Sequence, residues 1–137
     1  MLNGYERGLA KLALEARKAI KRRSKDCWEL IYHTYALSTA FSLSEHLKDA
    51  FCHVAVYRKH VNLGFNRGTE LDDPAQLLQG SGRLIRHVRL GPGVNPDAGS
   101  LGELIDEAIN HALRRMTDRG ASPSPGSVVV KQNSSKR

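Results

Sequence analysis

Apolar and polar positions repeat along this chain with two different periods, and the change from one to the other marks out its elements. From Tyr5 the apolar residues recur at helical steps, through Leu9, Leu12, Ala16 and Ile20, which is one face of an amphipathic helix. Asn3, with Glu6 three residues on, is a capping-box-like start. Trp28 to Leu43, "WELIYHTYALSTAFSL", is rich in aromatic, Leu, Ile and Thr residues and has no Gly or Pro. It predicts one long bent strand or two short ones. "SEHLKD" is a polar connection with room for a single helical turn. "AFCHVAVY" and "HVNLGF" then read as two strands joined at Arg58-Lys59, a link short enough to imply an antiparallel hairpin.

"DDPAQLLQG" predicts a short helix: Asp73 caps it, Pro74 takes the first position, Gln76 completes a capping box and Gly80 stops it. "RLIRHVRL" is a further strand, ended by "GPGVNPDAG". Ser100 and Glu103 form a second capping box, followed by the stripe Leu101, Leu104, Ile105, Ala108, Ile109, Ala112 and Met116. Beyond Gly120 the Pro, Ser, Gly and basic composition is that of a disordered tail, within which Val128 to Val130 could dock as a strand. The order helix, strands, short helix, strand, helix predicts an α+β fold. Its mostly antiparallel sheet of about 4–6 strands would be covered on one face by the N- and C-terminal helices. Residues 1–119 form the domain and 120–137 the basic tail.

Composition narrows the setting. At 137 residues, 40% hydrophobic and 26% charged, the chain is ordinary for one globular domain. No apolar run approaches the ~20 residues needed to span a bilayer, and "MLNGYERGLAK" lacks the order of a secretory signal. The expectation is a soluble, cytoplasmic protein with no membrane partner. Cys27 and Cys52 make no CxxC pair and read as small buried hydrophobes. The net charge of +7 sits largely at the ends: from Met1 to Asp26 eight Lys or Arg oppose three acidic residues. Such a run is usually a solvated face. It also raises sequence-independent nucleic-acid binding through Lys21, Arg22, Arg23 and Lys25, together with the tail.

Residues 50 to 90, "AFCHVAVYRKHVNLGFNRGTELDDPAQLLQGSGRLIRHVRL", resemble the signature of the YdhG-like family, a bacterial domain of unknown function. The family pattern has a strand pair ending in an "HVxLGFxRG"-type segment, then a "DPxxLLxGxGK" turn, then "xRHVxL". Here these are His60 to Gly68, Asp73 to Arg83 and Arg86 to Leu90. With the flanking helices the likeness covers roughly residues 5 to 116. It implies a small α+β domain of frataxin-like flavour, some of whose members have a proposed iron-chaperone role, so iron is a candidate cargo by resemblance. A carrier of that kind presents an acidic helix ridge of hard oxygen ligands, whereas the first helix here is basic.

Strand periodicity sorts the polar residues onto one face. If the apolar sets Cys52, Val54, Val56, then Val61, Leu63, Phe65, and then Leu84, Val88, Leu90 face the helices, the rest follow. His53, Tyr57, Asn62, Asn66, Arg83, His87 and Arg89 then share the outer face, the default for a sheet covered on one side. Two features point to a site there. Gly64 lies inside a strand, where a close backbone or ligand approach is a common reason for glycine. "GSGR", Gly80 to Arg83, could turn amides inward as an anion nest beside an arginine. The candidate ligand-binding residues are accordingly His60, Asn62, Asn66, Arg67, Gly80, Gly82, Arg83 and His87. Arg86 interrupts its strand's apolar set and calls for a carboxylate, with Glu70, Asp72 and Asp73 the expected structural partners.

Six histidines invite a metal reading, but no HxH or HExxH spacing occurs and Cys52 and His53 point to opposite faces. No G-x-S-x-G elbow, evident Cys–His pair or paired carboxylates mark a catalytic centre. The reading that results is a binding module for an anionic small ligand or partner group rather than an enzyme. Nucleic-acid binding and frataxin-like iron binding stand as alternatives.

Overall fold

The structure is a computed structural model that describes residues 4–33 and 37–131. Helix α1 (Gly4–Arg23) leads into β1 (Trp28–His33), β2 (Leu37–Ser42), β3 (Ala50–Val56), β4 (Val61–Phe65) and β5 (Arg86–Leu90). Helix α2 (Gly99–Asp118) and β6 (Val128–Val130) complete the chain. Short 3-10 turns at Leu47–Asp49 and Gly68–Glu70 punctuate the loops. The sheet order is β5-β4-β3-β2-β1-β6, an antiparallel meander closed by β6 running parallel to β1. The fold is therefore α+β, with a six-stranded mixed sheet and both helices against one face. No helix among the described residues is long and apolar enough to cross a membrane.

The main core lies between sheet and helices. Ala16, Ala19 and Ile20 of α1 and the buried α2 stripe meet Phe41, Cys52, Val54, Val61, Leu63, Phe65 and Leu90. A β-bulge enlarges the supply of core side chains. Cys52 pairs with Phe41 while Ala50 pairs with Ser42, so Phe51 is the extra residue and joins Cys52 in the same core. On the far side Leu30, Ala40 and Ala50 form a smaller cluster with Trp28, Tyr32 and Val129, without any helical residue.

Several expected elements take a different form. "WELIYHTYALSTAFSL" is two strands, β1 and β2, and the residues between them lie outside those described. So does Asn3, the expected cap of α1. "DDPAQLLQG" is no helix: Gln76 adopts a left-handed φ of 55°, which breaks helical continuity. The Asp73 carboxylate accepts the Leu77 and Leu78 amides, both at 2.9 Å, capping a turn instead. Beyond it, Gln79 forms an isolated antiparallel bridge with His87. The expected strand from Arg83 begins only at Arg86, leaving Leu84 and Ile85 exposed. Helix α2 opens with Ala98 as N-cap and no side-chain cap, so the Ser100–Glu103 capping box is not used. Its entry is fixed from outside, by arginines that hold Asp97.

The segment after Gly120, expected as a tail, is built onto the sheet as far as Lys131. Ser124 N–H donates to Leu43 O, Glu29 N–H to Ser127 O and Lys131 N–H to Ile31 O. Without β6, β1 would be an open edge with unpaired backbone groups.

The strongest polar tie joins α1 to β1. Glu29 is buried on the helix side, where Arg17 donates to both carboxylate oxygens at 2.8 and 3.0 Å and Lys21 lies 3.3 Å away. Burial works to raise the Glu29 pKa, but hydrogen bonds and charge from Arg17 and Lys21 together hold it below its ordinary value. Asp49, bonded by Ser44 and Arg119, is held down in the same way. A carboxylate whose pKa falls on folding contributes stability above its unfolded pKa of about 4, and that contribution is lost as pH drops through the folded value. Glu29→Gln should therefore cost about 1–2 kcal/mol at pH 7. The gap to wild type should close on acidification below about pH 4, which urea unfolding across pH measures.

Candidate functional site

A long concavity runs beside α1. Its volume is about 900 Å³, and it is bounded by α1 from Gly4 to Arg22, the β3–β4 hairpin, the end of β5 and the loop that follows. Eighteen residue steps at ~1.5 Å give it a length of roughly 27 Å along the helix. It exists because α1 packs unevenly. Ala16, Ala19 and Ile20 are buried against the sheet, whereas Leu9 and Leu12 are only half-buried and line the opening.

The lining combines an apolar floor with a cationic rim. Leu9, Leu12, Ala19, Leu90, Pro92 and Val94 supply the floor. Lys11, Lys18 and Arg22 from α1 face Lys59 and Arg89 from the sheet, against the two carboxylates Glu15 and Asp97. Arg22 is committed to Asp97, while Lys11 and Lys18 have no ion-pair partner among the described residues. His60 sits on the rim with its ring stacked on Tyr57, centroids 4.7 Å apart. Burial, with the neighbouring Arg89 and His87 side chains, holds His60 below its ordinary pKa, which favours the neutral hydrogen-bonding ring.

The basic end of α1 is largely internal fastening. Lys21 pairs with Glu29, and Arg22 pairs with Asp97. Arg23 reaches the Asp97 carboxylate at 2.9 Å, the Asp97 carbonyl at 2.8 Å and Asp106 at 2.5 Å. Three of the four residues considered for phosphate contact thus have acidic partners, and exposed Lys25 is the remaining one. A charge run read along the sequence does not reveal carboxylates that arrive from residues 29, 97 and 106.

The residues expected to form a site on the strands are dispersed. Gly64 makes room for its neighbour: a Cβ there would fall inside the His53 ring, which lies across it. The His53 Nδ1–H donates to Asn66 Oδ1 at 3.0 Å, and burial holds the ring below its ordinary pKa against that hydrogen bond. Gly64, His53 and Asn66 are one closed unit. Asn62 lies between Ala55 and Arg89 in the sheet and carries a buried side-chain oxygen without a partner. Arg67 is held by Glu70 through two 2.8 Å bonds, and His111 joins the same carboxylate. His60 and Arg67 lie beyond opposite ends of β4, whose four steps of ~3.3 Å alone span roughly 13 Å. Only His60 of the expected set lines the groove.

Gly80, with φ 117°, and Gly82 are used by the loop itself, since Gly82 O accepts from Arg86 Nε at 3.1 Å. Arg83 is exposed before β5 and gives its carbonyl to Thr69. His87 stands in β5, cross-strand from Gly64. The expected pairing of Arg86 with Glu70, Asp72 and Asp73 does not form: the Glu70 carboxylate is held by Arg67, that of Asp73 by backbone amides, and Arg86 is half-exposed. Missed from the sequence were Lys11, Lys18, Lys59 and Arg89, because they meet only once α1 is laid across the hairpin. The one local signal was Gly4 and Gly8 beside Leu9, Leu12, Lys11 and Lys18, small residues and lysines on one helical flank.

No three His, Cys, Asp or Glu side chains are grouped to hold a metal ion among the described residues, and α1 offers Lys and Arg where an iron carrier needs a ridge of carboxylates. The residues present do not fit iron. Both cysteines are buried, and burial raises their pKa values, leaving them as packed thiols. No protein-family model, curated protein or solved structure matches this chain.

The His53–Gly64 contact gives a direct check on the packing of this face. Gly64→Ala should cost about 1–3 kcal/mol through overpacking. Adding His53→Ala should recover part of that loss, a non-additivity that urea unfolding of the single and double variants measures.

Proposed function

We propose that this protein is a binding module for a small organic anion with an apolar body, taken into the groove between α1 and the loop joining β5 to α2. The observation that carries this is the pairing of an apolar floor with lysines, Lys11 and Lys18, that form no ion pair among the described residues. Pockets of this size with few polar groups on an apolar lining are the usual form of small-molecule sites. An anion there meets a net excess of positive charge, which raises its local concentration and its association rate. The YdhG-like resemblance of residues 50 to 90 belongs to the same proposal, since it implies a small α+β domain.

The alternative of nucleic acid along α1 has less support, because its basic run is already paired. In a thermal-shift screen, medium-chain carboxylates and organic phosphates should raise Tm, and inorganic phosphate alone should do so much less. At ligand near 100 times Kd the gain is about 2.7 kcal/mol. Lys18→Glu, at an exposed position, should leave the unliganded stability within about 0.5 kcal/mol and abolish the shift. Absence of any shift across the screen would sink the proposal.

A further inference from the structure

The sheet face turned away from both helices has a composition of its own. Strand register aligns Leu30, Ala40, His53, Gly64 and His87 in one row, and Tyr32, Ser38, Ala55, Asn62 and Arg89 in the next. The stacked Tyr57–His60 pair flanks them at the β3–β4 hairpin. The cluster packed on this side contains no helical residue. Asp and Glu are absent from both rows, and their ionisable groups are histidines, Tyr32 and Arg89. In the second row, small Ser38 and Ala55 lie between Tyr32 at one end and Arg89 at the other. Four strand spacings of ~4.8 Å put these ends roughly 19 Å apart.

We infer that this face is a platform for single-stranded nucleic acid, with bases stacking on Tyr32 and the Tyr57–His60 pair and a phosphate meeting Arg89. Three observations favour this occupant. A strand of phosphates encounters no carboxylate in these rows. The face offers rings beside a low centre, a shape that suits two or three splayed bases, as on other single-strand-binding sheets. Asn62 holds a buried oxygen lacking a donor, which the amino group of a base can supply. An acidic peptide would use Arg89 but gain little from neutral rings.

This face shares Arg89 and His60 with the rim of the groove but none of its lysines, and one experiment separates the two sites. Fluorescence anisotropy would follow the full chain with labelled single-stranded RNA and DNA of about ten nucleotides, and with the matching duplex, at ~50 mM salt. Single strands should bind about tenfold more tightly than duplex. Tyr32→Ala and Arg89→Ala should each weaken binding about tenfold, Tyr32→Phe should retain it, and Lys18→Glu should leave it unchanged. Far-ultraviolet circular dichroism and Tm confirm that each variant is folded, and Tyr32→Phe keeps the ring test valid should Tyr32→Ala fail to fold. Equal binding of duplex, or no binding, would overturn the inference. So would loss with Lys18→Glu alone, which would transfer the phosphates to the groove, or competition by polyglutamate unaffected by loss of the Tyr32 ring.

Discussion

The way α1 is fastened sets the shape of the whole helix-bearing side. Its last two turns are pinned by Arg17 and Lys21 to Glu29 and by Arg22 and Arg23 to Asp97 and Asp106, around the buried contacts of Ala16, Ala19 and Ile20. These ties are partly buried and share carboxylates, so they are worth more than isolated surface pairs. Leu9 and Leu12 stay half-buried, and the space they fail to fill is the groove. One arginine pair also positions Asp97, immediately before α2, so the same charges set the wall of the groove and the entry of the second helix.

What was legible in the sequence was whatever depends on local period. The α2 stripe is buried residue for residue, the β3–β4 hairpin turns at Arg58-Lys59, and the order of elements yields the α+β sheet. What was not legible depends on partners distant along the chain. The basic end of α1 looked free because Asp97 lies seventy-five residues from Arg22. Val128–Val130 was hard to place because three valines become a strand only when β1 offers an open edge. At Asp73 the capping logic was correct, since its carboxylate does take amides, but the amides belong to a turn that Gln76 ends with a left-handed residue.

Gly64 illustrates how a correct local observation leads to a wrong neighbour. A glycine in mid-strand does signal close approach, and the approach is real. What approaches is the His53 ring from the adjacent strand, a cross-strand relation that no reading along β4 can supply. Candidate residues gathered by nearness in sequence were therefore distributed over two faces and both ends of β4. The groove gathers residues far apart in sequence, Lys11, Lys18, His60 and Arg89, on one boundary.

That boundary links the two surfaces electrostatically. Arg89, in β5, and His60, just before β4, line the groove and also border the outer face. Burial, with the neighbouring Arg89 and His87 side chains, holds the His60 pKa below its ordinary value. An anion on either side would offset the Arg89 charge and relieve the penalty on His60, raising its pKa, so anion binding and proton uptake favour one another. His53 responds less, because it is buried in its own hydrogen bond with Asn66 over Gly64. The fold thus places one responsive imidazole at the edge shared by both surfaces and one insulated imidazole within the sheet.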